Sequence, residues 1–255
     1  MSTLVAYPLT PIDNYVPSYT CRVNCTLLHT SHMPPKKNQE GKTVHLVLQR
    51  YRWCKILLDE TEWRTVGSSE GPAHCGWLVY TSFAVGASQE TVRKAVLTVY
   101  QMAFGTWTRW EEKGGRPQAL GSMMQQSHDE NIVKNRLSVV VCPQANLVNK
   151  IERNGKSVQY RGQCDKALSE QLFLYFGLYL QALLLEQQCQ IREQPVPESL
   201  TSWKQMPLEE ALNSDTTIWT ELLDAVTVVC GSFGKLQGLE FSSADIGPFC
   251  HTIQI

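Results

Sequence analysis

The chain has 255 residues, and 23 Lys and Arg against 24 Asp and Glu leave a net charge of −1. It is therefore not a wholly basic nucleic-acid binder, and any RNA or DNA contact must come from a local patch. With 43% hydrophobic and 18% charged residues it can bury a sizeable core, in one domain or two, and is not a disordered polymer.

The longest apolar run, residues 172–185, is interrupted by Gln181. It falls short of the roughly 20 residues a bilayer span needs, so no membrane association is expected. The first twenty residues carry no Lys or Arg but contain Pro8, Pro11 and Pro17. They resemble neither a secretory leader nor a transit peptide, which predicts a cytoplasmic protein. The nine cysteines are odd in number and form no C-x-x-C pair. Neither Cys21 with Cys25 nor His74 with Cys75 has a second pair at zinc-like spacing, so no metal and no cofactor are expected. Reduced, mostly buried thiols are the better reading.

Residues 1–42 are rich in Pro, Ser and Thr and end near Pro34-Pro35-Lys36-Lys37-Asn38. They read as an N-terminal arm with one strand about residues 21–28. The remainder, 43–255, reads as a single decorated domain. It opens with a β-rich stretch at 44–48, then a run of Trp, Leu, Val, Tyr and Phe at 76–85 with the pattern of a buried strand. Ser88 is placed to cap a helix whose apolar face is Val92, Ala95, Val96, Val99, Met102 and Ala103.

Residues 110–135 turn polar, with Gly114, Gly115 and Pro117, and read as an insertion. Residues 137–142 form another buried strand, stopped by Pro143. A second helix over 166–188 is apolar nearly all round and must be covered by sheet or by a partner. Residues 190–217, with Pro195, Pro197 and Pro207, read as a second insertion. A strand follows at 223–230. In the last strand Phe249, His251, Ile253 and Ile255 share one face, and Cys250, Thr252 and Gln254 the other. The sum is an α+β domain with a mixed, barrel-like sheet of six or seven strands and two main helices.

Standard catalytic devices are absent: there is no G-x-G-x-x-G, P-loop, H-E-x-x-H or G-x-S-x-G. Glu111-Glu112 and Glu209-Glu210 read as solvated faces. A thiol nucleophile from Cys142, or from Cys250 with His251, is disfavoured, because adjacent strand residues point to opposite faces. Two segments remain: the strand exit Val141-Cys142-Pro143-Gln144-Ala145-Asn146-Leu147, and Asp245-Ile246-Gly247-Pro248-Phe249-Cys250-His251 before the last strand.

Pro143-Gln144-Ala145-Asn146-Leu147, Gln159-Tyr160 and Gly247-Pro248-Phe249-Cys250-His251 together resemble the D-aminoacyl-tRNA deacylase family. The resemblance is closest to its animal-type branch, whose members clear alanine wrongly loaded on threonine tRNA. It runs from about residue 44 to 255, outside the arm and both insertions. The chain departs from the pattern at Asn146 and Cys250, where the family has Thr, and at Val148-Asn149, which replace a glycine pair.

The resemblance implies hydrolysis of an aminoacyl-tRNA ester, a proofreading reaction on an already activated bond. Such chemistry needs a placed water and oxyanion donors, each donor being worth roughly 3 kcal/mol. By the same resemblance Gln144, Ala145 and Asn146 form the catalytic segment, helped by main-chain contacts and the 2′-hydroxyl of the terminal adenosine. Pro143, Gly247, Pro248 and Phe249 bind the substrate. Gly247 allows close backbone approach and Pro248 fixes φ. That Gly-Pro wall enters the neighbouring subunit's pocket, so a homodimer is implied. Lys150, Arg153, Lys156, Arg161 and Lys166, against Glu152 and Asp165, suggest the tRNA-facing surface; Arg50, Arg52 and Lys55, with Tyr51 and Trp53 between them, add to it. The departures at Asn146 and Cys250 support an alternative reading, a catalytically inactive relative serving as an RNA-binding or scaffold subunit.

Overall fold

A computed structural model describes residues 42–58, 60–67, 74–107, 116–130, 137–152, 155–243 and 250–255. The expected arm, including its strand, lies outside the described residues.

Four of the main elements follow from local sequence. β4 (Cys75–Phe83) is buried along almost its whole length, and β5 (Leu137–Pro143) is buried up to Pro143. Continuous hydrophobic strands of this kind require cover on both faces. Helix α1 (Gln89–Gln101) begins at Ser88, whose hydroxyl accepts from the Thr91 amide while the Thr91 hydroxyl accepts from the Ser88 amide. This reciprocal cap satisfies two N–H groups that the first turn leaves open. Helix α3 (Lys166–Ile191) starts at Asp165, whose carboxylate accepts from the amides of Ala167 and Leu168 at 2.9 and 3.2 Å.

The larger sheet has the order β10-β1-β4-β5-β8, with β1 Val44–Tyr51, β8 Thr227–Cys230 and β10 Cys250–Gln254. β10 and β4 both run antiparallel to β1, whereas β4, β5 and β8 are mutually parallel. On one face Leu46, Leu48, Trp77, Val79, Val139 and Val141 pack beneath α1 and α3. On the other, Leu78, Val140, Cys142 and Val229 meet Tyr51, Cys54, Ile56 and Val66. Most of that second layer is a three-stranded antiparallel sheet, β3-β2-β9, made of β2 (Trp53–Leu58), β3 (Glu62–Gly67) and β9 (Leu239–Ser242). Between the layers the Ser138 hydroxyl hydrogen-bonds both the Tyr51 hydroxyl and His74 Nε2, at 2.5 and 2.7 Å.

The fold is α+β with a mixed sheet, as expected, but among the described residues the strands do not close into a barrel. Three differences have physical causes. Residues 110–135 include helix α2 (Leu120–Asp129), whose Leu120, Met123 and Met124 are buried; its polar outer side hid a short apolar stripe. Residues 190–217 include α4 (Glu198–Trp203) and α5 (Leu208–Asn213), which cap the outer side of α3. Trp203 stacks on Tyr175 of α3 at 5.5 Å and donates to the Ala211 carbonyl at 2.8 Å. The strand expected at 223–230 covers only Thr227–Cys230, and residues 223–226 connect it to α6 (Thr217–Leu222).

By length and composition α3 is apolar enough to cross a membrane, yet 61% of its most apolar window is buried inside the protein. The sheet lies on one side of it and the short helices on the other, so its all-round apolarity is used within the chain.

Gly76 is a packing constraint within β4. A Cβ there would stand 2.3 Å from the Tyr51 ring, which is fully buried and tied to Ser138. Gly76→Ala should therefore lower stability by about 1–3 kcal/mol through overpacking, and Ser88→Ala by about 1 kcal/mol through removal of the cap. Urea unfolding midpoints of the two variants measure both.

Candidate active site

Because β4, β5 and β8 are parallel, they deliver the chain to the same end of the sheet. The last bond of the β4–β5 ladder runs from the Gln144 amide to the Thr81 carbonyl at 2.7 Å. Just before it Pro143 can give no N–H, and after Gln144 the chain turns into a short 3-10 segment, Ala145–Leu147. A cavity of about 530 Å³ opens at this point. Thr81, Ser82 and Phe83 from β4 and Pro143, Gln144 and Ala145 from the β5 exit form one wall. The start of α3, with Cys164, Lys166 and Ser169, and the loop after β8, residues 233–237, form the other. Crevices at the carboxyl ends of parallel strands are the usual ligand sites of such sheets.

The Ala145 peptide is held firmly. Its carbonyl accepts from the Ser82 hydroxyl at 3.0 Å, the Gln163 side-chain amide at 2.8 Å and the Val148 amide at 3.2 Å. The amides of Ala145 and Asn146 open the 3-10 segment and take no intrasegment partner. Lys166 and Lys235 are the charged side chains among the described lining residues, which include no carboxylate and no histidine. The described lining thus offers lysine, hydroxyl, amide and thiol groups and, among the described residues, no side chain suited to act as a general base near neutral pH.

The structure brings together Pro143, Gln144 and Ala145 and adds residues that sequence reasoning missed: Thr81, Ser82, Gln163, Ser169 and the 233–237 loop. Asn146 is exposed and outside the lining; its carbonyl accepts from the Asn149 side chain at 2.6 Å. Gly247, Pro248, Phe249 and Arg153 lie outside the described residues. Cys250, where β10 begins, pairs with Gln49, which pairs with Leu78, whereas Pro143 pairs with Thr81. The start of β10 is therefore three residues, about 10 Å, back along the sheet from the cavity, and three strands to the side.

Lys150, Lys156 and Arg161 are exposed around the small hairpin of β6 (Lys150–Ile151) and β7 (Val158–Gln159). Gln159 and Ser157 both donate to the Glu152 carboxylate there, and Tyr160 is exposed. The second basic cluster does not form one surface. Arg52 is buried at the bend between β1 and β2 and donates to the His74 carbonyl at 2.7 Å. Tyr51 is in the core, and Arg50 lies over the Phe104 ring at 5.8 Å. Lys55 lies over an exposed aromatic, Trp63. The chain passes from one sheet to the other here, which turns consecutive side chains inward.

Cys142 is packed among Tyr51, Cys54, Val140 and Val229, and burial pushes its thiol up to about 12. Cys250 donates to Gln49 at 2.8 Å while His251 packs edge-on against Phe104, on the opposite face. A thiol held protonated by burial is a poor nucleophile at Cys142. Among the described residues no group of three His, Cys, Asp or Glu side chains is arranged to hold a metal.

No family model and no curated protein matches the sequence. The comparison with solved structures does: the chain has the fold of a probable eukaryotic D-amino acid tRNA deacylase. The two share 23% identity at a TM-score of 0.52, over 84% of this chain and 100% of that one. A c-Myc DNA unwinding element binding protein matches at 12% identity and a TM-score of 0.45, over 82% and 97%.

Burial also raises the thiols of Cys54 and Cys75 to about 11 and that of Cys230 to about 12, from an ordinary 9.0. The unfolded chain releases these protons near pH 9 and the folded chain holds them. Their contribution to stability is complete below the unfolded value and is lost as pH rises through 11 to 12. Urea midpoints should be level up to about pH 9 and fall above it, with protons released on unfolding.

Proposed function

We propose that this chain is an aminoacyl-tRNA deacylase that hydrolyses the ester of mischarged tRNA, carrying a D-amino acid or a mis-selected small L-amino acid, as a proofreading step. The observation that carries the reading is the cavity at the β4 and β5 exits, where Pro143, Gln144 and Ala145 stand beside Lys166 and no carboxylate occurs among the described lining residues. A cleft with a cation at its rim and no described side-chain base suits a substrate that is anionic, already activated and able to supply its own hydroxyl. An aminoacylated 3′ end has these three properties. Main-chain donors at the β5 exit would stabilise the developing oxyanion, and the threefold hold on the Ala145 carbonyl fixes the Ala145–Asn146 peptide plane before substrate arrives. Fold likeness to a D-amino acid tRNA deacylase supports the same assignment.

In this reading the wall formed by Gly247 and Pro248 of a second copy completes the site. The distance of Cys250 from the cavity supports a division between two subunits, because within one chain the start of β10 stands at a different level of the sheet. The working unit is then a cytoplasmic homodimer, with tRNA held by Lys150, Arg153, Lys156 and Arg161. The inactive, RNA-binding alternative is favoured by one observation, the position of Asn146 outside the lining.

Incubation with a panel of D- and L-aminoacyl-tRNAs tests both. Release above spontaneous decay is expected for the native chain. Release at the spontaneous rate, restored by Asn146→Thr, would mark a binding subunit descended from an enzyme. Neutralising Lys150, Lys156 and Arg161 together should weaken tRNA binding across sequences. It should also reduce the slope of log affinity against log salt by about one for each phosphate that is no longer neutralised.

A further inference from the structure

A second cavity, of about 250 Å³, lies between α1, α3 and the segment that follows α3. It shares no described lining residue with the cleft at the β5 exit. Arg93 of α1, Tyr179 and Glu186 of α3, and Val196, Lys204 and Gln205 contribute to its walls. The last three belong to residues 190–217, which the family resemblance does not cover.

Arg93 is held in place by the protein itself. Its Nε donates to the Tyr175 hydroxyl at 2.8 Å, and its Nη2 donates to the carbonyls of Lys204 and Met206 at 2.8 and 3.4 Å. The guanidinium lies 5.9 Å from the centres of both the Tyr175 and Tyr179 rings. Its Nη1 edge has no hydrogen-bond partner among the described residues. Lys204 Nζ pairs with Glu186 Oε2 at 2.5 Å, so these two charges cancel. The described lining therefore keeps one net positive charge, that of the half-buried Arg93. The Tyr179 hydroxyl makes no hydrogen bond to a described residue, and burial raises the phenol above its ordinary value, which keeps it a donor at neutral pH.

A fixed guanidinium edge next to a neutral donor complements a singly charged oxyanion. Glu186 repels a second negative charge. Val196 adds aliphatic surface, and the volume lies below the roughly 300–1,000 Å³ of pockets for drug-sized ligands. We infer that this cavity binds a small monocarboxylate, with its carboxylate on Nη1 of Arg93 and its aliphatic body against Val196. The site is separate from the proposed hydrolysis and does not depend on it.

Equilibrium dialysis of the full chain against radiolabelled butyrate tests this, with unlabelled butyrate, butylammonium and inorganic phosphate as competitors at constant ionic strength. Butyrate should bind saturably, unlabelled butyrate should displace it, and butylammonium should not. Phosphate, largely a dianion above neutral pH, should compete poorly. Glu186→Gln raises the net charge of the described lining from one to two. It should tighten butyrate binding by about threefold or more and let phosphate compete. Lys204→Gln removes that net charge and should weaken butyrate by about threefold or more. Arg93→Lys should abolish binding. Because Arg93 also ties down Lys204 and Met206, circular dichroism checks that this variant folds; if it does not, the two charge variants decide. Absence of saturable butyrate binding, displacement by butylammonium as effective as by butyrate, unchanged or weaker binding in Glu186→Gln, or unchanged binding in Lys204→Gln would each overturn the inference.

Discussion

Parallel strands cannot be joined by a tight turn; each must be re-entered by a long crossover, and each gives up its chain at the same edge of the sheet. In this protein β4, β5 and β8 obey that constraint, and the bond from the Gln144 amide to the Thr81 carbonyl is the last rung before the chains diverge. What opens between them is the cavity. Its walls are the ends of separate elements, held at fixed spacing by the ladder below. The rigid part of the site is therefore backbone: a proline that ends a strand and a carbonyl held by three donors.

The constraint reaches the helical layer as well. The crossover from β5 to β8 contains α3, and the cavity uses its first turn, so the position of Lys166 depends on how the whole helix is seated. Leu172, Phe173, Phe176, Leu180 and Leu184 are fully or almost fully buried along it. Tyr175 is clamped from outside by Trp203, and Arg93 of α1 donates to its hydroxyl at 2.8 Å. Segments that look peripheral in the sequence, residues 190–217 above all, thus hold in place the helix whose start carries the cation.

The chemistry of the cavity limits the reactions it can serve. With no carboxylate or histidine among its described lining residues, the part of it that is described offers backbone and hydroxyl groups rather than a side-chain base, which is the basis of the proposed ester chemistry. The residues before β10 that share the family resemblance lie outside the described residues, and Cys250, the first described one after them, stands back from the cavity along the sheet, which is why a second copy enters the proposed mechanism.

Much of this was legible in the sequence, and for local reasons. Ser88 and Asp165 announce helix starts through their own hydrogen-bonding groups, β4 and β5 through continuous apolar runs, and Pro143 through its missing N–H. Pro143, Gln144 and Ala145 were accessible as candidates because a strand exit is a local event. Thr81, Ser169 and the 233–237 loop were not, since they come together only when three parallel strands and one helix meet at a common end. Nor was the burial of Arg52, which follows from the passage of the chain between two sheets, or helix α2, whose apolar stripe is too short to stand out until it packs. The sequence alone determined the type of the main strands and helices and the β5 exit that forms part of one wall of the cleft, because short-range sterics and hydrogen bonding act within a few residues. Only the tertiary structure decided the other wall, its charge and its depth, because those depend on contacts between segments far apart along the chain.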